Sequence, residues 1–265
     1  MDKCFGFIGA GNMGGALATA AAKNAKVFVA DSYEEKAEAL AQKIGGTAVT
    51  TQQVAEKCGY IFLGVKPQVM GVMLKQIAPV LAARKDDFVL VSMAAGVQIA
   101  DIRRMAGGDY PVIRIMPNIP VAVGGGVILY DATENVSEAA LAQFCQVMAS
   151  AGYLDRLDEK LIDAGSAVSG CGPAFVSLFT EALADGAVAC GLSRDKALEY
   201  SLYTLMGTAK LLLETKMHPG QLKDAVCSPG GSTIAGVRAL EQGGFRASCM
   251  EAVEEAFART KELGK

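Results

Sequence analysis

The sequence predicts an α/β protein in which a doubly wound sheet is followed by an all-helical domain. Three observations carry this. From residue 3 to about residue 157, short runs rich in β-branched and aromatic residues alternate with helix-like stretches. Several of these runs are apolar throughout, as expected of parallel strands covered on both faces. After about residue 158 the strand pattern stops and only helical spacing remains. A chain of 265 residues is long enough for two domains, and the expected division is 1–157 and 158–265.

The strand candidates are Phe5–Ile8, Val27–Ala30, Tyr60–Val65, Phe88–Ser92, Val112–Met116 and Val127–Tyr130. Helical spacing between them, as in Ala16–Lys23, Tyr33–Ile44 and Gln68–Leu81, implies right-handed crossovers. In the second half, Leu161–Val168, Ala174–Cys190, Arg194–Leu213 and Arg246–Leu263 read as helices, with breaks at Gly191 and Gly243-Gly244. Phe175, Leu178, Phe179, Ala182 and Leu183 keep helical spacing, as do Leu198, Leu202, Leu205, Met206, Ala209 and Leu213. Those faces are apolar over more of the circumference than a solvated helix needs. A second copy packing against them accounts for this; a monomeric helical bundle is the alternative.

Composition narrows the function. The 25 Lys and Arg against 28 Asp and Glu leave a net charge of −3, with no basic excess to neutralise nucleic-acid phosphates. The seven cysteines (4, 58, 145, 171, 190, 227 and 249) form no C-x-x-C pair, and His218 is the single histidine, so no metal site is expected. Scattered thiols suit a reducing compartment. The N-terminus lacks a signal-peptide pattern and the apolar runs fall short of a membrane span, so a cytoplasmic protein with no membrane partner is expected.

Gly9-Ala10-Gly11-Asn12-Met13-Gly14 follows a strand and opens a helix. The first glycine permits the tight turn, the second lets a pyrophosphate approach, and the third lets helix pack on strand. The helix N-terminus then offers free N–H groups to phosphates. Asp31 ends the next strand about 20 residues on, as a dinucleotide fingerprint requires. Its carboxylate would accept hydrogen bonds from the ribose of NADH and repel the 2′-phosphate of NADPH. Ser32 would instead donate to that phosphate, with Lys36 one helical turn further, so both dinucleotides stay open.

Two more loops, Gly64-Val65-Lys66-Pro67 and Ala94-Ala95-Gly96, follow strands at the edge where ligands bind in open α/β sheets. In Met116-Pro117-Asn118-Ile119-Pro120 the prolines would hold the Asn118 amide rigidly toward a ligand. Ser228-Pro229-Gly230-Gly231-Ser232-Thr233 precedes a helix, and reads either as an anion cradle or as a start capped by Ser232 or Thr233. No general acid is conspicuous: His218-Pro219-Gly220 looks like a turn before a helix, and Glu181 and Asp185 look like a polar helix face. Ketone reduction needs a proton donor for the forming alkoxide. A protonated imine does not, so imine reduction fits better, with Lys66, Glu181 and Asp185 as the remaining acid candidates.

These segments, with Ser169-Gly170-Cys171-Gly172-Pro173-Ala174-Phe175 and His218–Asp224, together resemble the pyrroline-5-carboxylate reductase family. The resemblance covers nearly the whole chain in order. It implies reduction of 1-pyrroline-5-carboxylate to L-proline by NADPH or NADH, the last step of proline biosynthesis. It implies a Rossmann-like domain followed by a helical dimerisation domain, in dimers that in this family often assemble into decamers. It also implies that Thr233 hydrogen-bonds the substrate nitrogen while Ser228, Gly230, Gly231, Ser232 and Thr233 hold its carboxylate. Ile8, Gly9, Ala10, Gly11, Asn12, Met13, Asp31, Ser32, Val65, Lys66, Pro67, Ala95, Gly96 and Asn118 would line the cofactor. The chain departs from its relatives at Cys171, where serine is common, at Ile119, where threonine is usual, and at Lys216, near which some carry an acid. Two other readings are a β-hydroxyacid dehydrogenase and a dinucleotide-sensing module without turnover. The first expects a lysine on the helix Ala174–Cys190, which has none.

Overall fold

Alternation of side chains along each strand splits the core of the first unit into two layers, one on each face of a single sheet. In the computed structural model, which describes residues 4–263, Cα packing divides the chain into two units. One holds the residues up to Cys171 with those from Ala256 onward; the other is Gly172–Glu255.

In the first unit, β1 (Phe5–Ile8), β2 (Val27–Ala30), β3 (Thr47–Ala48), β4 (Tyr60–Leu63), β5 (Val89–Ser92), β6 (Val112–Pro117), β7 (Gly126–Ala132) and β8 (Gly152–Arg156) form the sheet. Their order is β3-β2-β1-β4-β5-β6-β7-β8. The helices are α1 (Asn12–Ala21), α2 (Glu34–Ile44), α3 (Thr51–Lys57), α4 (Pro67–Ala83), α5 (Ile99–Ala106), α6 (Glu138–Met148) and α7 (Glu159–Ser169). Phe5, Phe7, Tyr60, Phe62, Val89 and Val91 point to the face covered by α1 and α6. Ile8, Ile61, Leu63 and Leu90 point to the opposite face, under α3, α4 and α5. The sheet is therefore doubly wound, as the continuous apolar strands implied.

The register sets aromatic rings of neighbouring strands against one another. Phe5 pairs with Tyr60 and Phe7 with Phe62, their rings stacked at 4.4 and 4.2 Å, each such pair adding about 0.5–1.5 kcal/mol beyond burial. The Tyr60 hydroxyl donates to the Ala140 carbonyl of α6 at 2.7 Å, and burial pushes its phenol up to about 12.

Three features of the sheet differ from expectation. The two-residue strand β3 is too short to show a period. Strand β8, reading Gly-Tyr-Leu-Asp-Arg, is partly exposed and carries charge, so its pattern is weak. Strand β7 runs antiparallel to β6, because only a short 3-10 turn, Ile119–Val123, joins them; a parallel return needs a long crossover.

A buried cation ties α7 to the sheet. Arg114 of β6 is 1% exposed and donates to Asp163 at 2.8 Å and to Glu159 at 3.4 Å. Glu159 also accepts the Ile99 N–H that opens α5, at 2.7 Å. Its own N–H donates to Asp131 of β7 at 2.9 Å. One guanidinium thus anchors strand, helix and loop together.

The second unit consists of α8 (Gly172–Ala189), α9 (Arg194–Thr215), α10 (Pro219–Ala225), α11 (Ser232–Gln242) and the first part of α12 (Phe245–Leu263). α8 and α9 pack together, and the buried positions on them are the small residues Thr180, Ala184, Ala197 and Ser201. Leu178, Leu202, Tyr203, Met206, Leu213 and Met250 are each more than half exposed. Large apolar side chains left out in this number mark a surface that another molecule covers. The helical stretch Glu159–Ala189 is also apolar enough, by length and hydropathy, to cross a membrane. Counting unbroken apolar runs missed this, because small polar residues interrupt the runs without lowering the average.

Removing one partner of a buried ion pair leaves an uncompensated charge. Glu159 remains beside Arg114 at 3.4 Å, so Asp163→Ala should lower stability by about 1.5–3 kcal/mol, the worth of one hydrogen bond to a charged group, read by urea denaturation at fixed protein concentration. A variant as stable as the parent would show that Arg114 does not depend on the pair.

Candidate active site

The strand order reverses between β2 and β4 on either side of β1. Ligands bind in the crevice outside the carboxyl ends of strands at such a switch point. Two glycines form its floor. Gly9, at φ +116°, adopts a backbone that side chains rarely tolerate, and a Cβ there would strike the Gly64 carbonyl. Gly64 in turn lies against the Ile8 and Gly9 carbonyls, and its N–H donates to Ile8 O at 2.8 Å. A Cβ on Gly14 would collide with the Gly9 carbonyl, so this third glycine serves the packing of α1 on β1. A Cβ on Gly11 would meet nothing within 4 Å.

The second glycine therefore borders open space at the start of α1. Gly11 is the N-cap, with no side-chain cap and no acidic residue in the first turn. The geometry fits a pyrophosphate, which needs room for close backbone approach and uncompensated N–H groups. Asp31 stands at the end of β2, where its Oδ2 accepts the Ala10 N–H at 2.7 Å and its Oδ1 accepts the Tyr33 N–H at 2.9 Å. Ser32 is exposed beside it.

The neighbouring loops follow the same edge of the sheet. Val65 is half-buried, while Lys66 and Pro67 are exposed, with Lys66 as N-cap and Pro67 in the first turn of α4. Ala95 is exposed and Gly96 lies in a left-handed turn at φ +73°. Asn118 behaves differently from the sequence expectation. It is 7% exposed; its Oδ1 accepts the Val127 N–H at 2.8 Å and its Nδ2 donates to the Ser169 carbonyl at 2.8 Å. The amide is held rigidly, but by protein groups, and it ties the end of β6 to the end of α7. Sequence reading missed Arg114 and Glu159, which together hold the start of α5 through the Ile99 N–H, although one Arg inside an apolar strand was a visible signal.

In the second unit, Ser228–Thr233 opens α11. The N-cap is Gly231 rather than Ser232 or Thr233, and no side chain caps the helix. Gly230 is left-handed at φ +68°, and the Gly231 N–H donates to Ser228 O at 3.0 Å. Ser232 and Thr233 fall in the first turn with their side chains exposed, and the N–H groups of Ser232, Thr233 and Ile234 have no intrahelical acceptor. An anion or carboxylate suits these groups electrostatically.

His218 and Asp185 have partners, whereas Lys66 and Glu181 are exposed. His218 is the N-cap of α10, its Nδ1 accepting the Gly220 N–H at 3.1 Å. Asp185 pairs with Arg194 at 2.6 Å on the surface, and Glu181 lies exposed on the same helix. Lys216 ends α9 at φ 56°, the one side-chain-bearing residue in the left-handed region among those described.

Comparison with other proteins settles the family. The chain is 37% identical over 271 residues to the pyrroline-5-carboxylate reductase of Escherichia coli (strain K12), covering 100% of both. The chain belongs to the pyrroline-5-carboxylate reductase family. The Synechocystis member is 42% identical over 214 residues, 81% of this chain and 78% of its own. The crystal structure of the Plasmodium falciparum reductase, described with NADP bound, superposes with a TM-score of 0.88 at 31% identity, covering 100% of this chain and 99% of that one. Residues 159–263 match the family's dimerisation model, and residues 4–96 match a model described as NADP oxidoreductase, coenzyme F420-dependent. The protein is thus an oxidoreductase that assembles with copies of itself, and the exposed apolar helices have their explanation. The dimerisation model takes in α7, which Cα packing groups with the sheet.

The two glycines of the turn should respond oppositely to alanine. Gly9→Ala forces a Cβ into the Gly64 carbonyl at positive φ and should cost on the order of 3 kcal/mol or more. Gly11→Ala fills open space and should change stability by less than about 1 kcal/mol. Thermal melts of the two variants side by side would show the contrast; equal losses would refute it.

Proposed function

We propose that this chain reduces the cyclic imine 1-pyrroline-5-carboxylate to L-proline with NADPH or NADH, the last step of proline biosynthesis. The uncapped start of α11 at Ser228–Thr233 carries this reading. Bound dinucleotide supplies the hydride.

In this reading the backbone N–H groups of the Gly230–Thr233 segment, with the Ser228 and Ser232 hydroxyls, bind the substrate carboxylate. The Thr233 hydroxyl orients the ring nitrogen. The hydride adds to the imine carbon, the C=N π pair moves to nitrogen, and the nitrogen keeps the proton it carried as an iminium. No side chain has to donate a proton in that step. The Gly9–Met13 turn and the start of α1 hold the pyrophosphate. Ile8, Asp31, Ser32, Val65–Pro67, Ala95 and Gly96 line the rest of the dinucleotide, and Asn118 supports this edge from beneath. Residues 158–265 act as the dimerisation and substrate-binding domain, in dimers of which five assemble into a decamer. A cytoplasmic location suits the seven free cysteines.

Oxidation of NADH or NADPH, followed by absorbance, should occur only when pyrroline-5-carboxylate is added; no turnover with either dinucleotide would sink the proposal. Thr233→Val should lower kcat roughly 10- to 100-fold, the loss expected for one hydrogen bond of ~1–3 kcal/mol in the transition state, with dinucleotide affinity unchanged. Full turnover in that variant would remove Thr233 from the chemistry.

A further inference from the structure

We infer that Asp31 makes this chain prefer NADH to NADPH. The inference rests on the dinucleotide reading of the glycine turn and deepens it. The Asp31 carboxylate is gripped by two backbone N–H groups, Ala10 at 2.7 Å and Tyr33 at 2.9 Å. Ala10 belongs to the glycine turn itself, so the carboxylate is locked to the element that receives the pyrophosphate and cannot swing aside to admit a second anion. An ionised carboxyl group has about four lone-pair directions. After these two bonds it keeps acceptor capacity for the hydroxyls of an adenosine ribose and offers nothing to a phosphate.

Ser32 and Lys36, the nearest groups that could welcome a 2′-phosphate, each have a local contact of their own. The Ser32 hydroxyl donates to Asp31 Oδ1 at 3.4 Å. The Lys36 ammonium lies 4.8 Å from the centre of the Tyr33 ring. The cleft beside Asp31 is lined by Glu34 and Glu38 as well, with no Lys or Arg among its lining residues. Its volume of ≈ 430 Å³ leaves room for a phosphate, so charge and not size sets the preference. A 2′-phosphate brings about −1.5 to −2 charges to a wall that already carries the same sign, where like charges disfavour each other.

The test is direct binding without substrate. Titrating the full-length protein with NADH and with NADPH, and following the fluorescence of the dihydronicotinamide, should give a Kd for NADH at least ~10-fold lower at low salt. Raising the ionic strength should narrow that gap, because screening weakens the repulsion. Asp31→Asn keeps an oxygen for the Ala10 N–H, gives up the bond from the Tyr33 N–H and removes the charge, so it should bring the two Kd values within about 3-fold, chiefly by tightening NADPH. Equal or tighter NADPH binding by the parent protein overturns the inference, as does a gap that neither salt nor the substitution alters. Binding of neither dinucleotide overturns it together with the reading of the glycine turn; tight NADH binding without turnover of pyrroline-5-carboxylate instead leaves it standing and rejects the proposed reaction.

Discussion

The close approach of the Gly9 and Gly64 backbones is the constraint on which the cofactor side of this protein depends. At the carboxyl ends of β1 and β4 the two chains come nearer than any Cβ allows, and this happens where the strand order reverses. That contact makes β1 turn sharply into α1. It therefore decides where the first-turn N–H groups of α1 point and leaves the space beside Gly11 open. Asp31 joins the same arrangement from β2 by accepting the Ala10 N–H. The turn is held by backbone groups and one carboxylate.

A second constraint works from below. Arg114 could not remain in the sheet interior without its carboxylates, since a buried unpaired charge is far costlier than a buried pair. Its partners Asp163 and Glu159 both lie on α7, and Glu159 also fixes the Ile99 N–H at the start of α5. Asn118 adds its own link from the end of β6 to the end of α7. These bonds position the Ala95–Gly96 turn indirectly, by fixing the helix that follows it. The polar groups buried in this otherwise apolar layer sit close to the edge on which ligands are expected.

The helical unit is built on the opposite principle. The buried positions of α8 and α9 are alanine, serine and threonine, while leucine, methionine and tyrosine side chains face outward. Such an arrangement cannot be a self-sufficient core, because burying large apolar side chains is the main favourable term in folding. The family's dimerisation model over residues 159–263 supplies the missing half. The apolar stripes that led the sequence reading to a second copy are the same ones that stay exposed in the single chain.

What the sequence by itself determined were features with local causes. Uninterrupted apolar strands, a Gly-x-Gly-x-x-Gly turn between strand and helix, and helical periodicity after residue 158 each follow from near neighbours, so Phe5–Ile8 and Val27–Ala30 were read to the residue. The family resemblance was equally legible, because its motifs are short and ordered. Only the tertiary structure decided what depends on distant partners. Asn118 was read as an amide presented to a ligand, but Val127 and Ser169 claim both of its ends. Ser232 and Thr233 were candidates for capping α11, but Gly231 takes that place and leaves their hydroxyls free. Arg114 was one charge in an apolar strand until α7, about 45 residues later, brought it two carboxylates. The bond from the Ala10 N–H to Asp31 likewise became visible only in the fold. Hydrogen-bond acceptors and charges act through space, so their meaning waited for the fold to choose their partners.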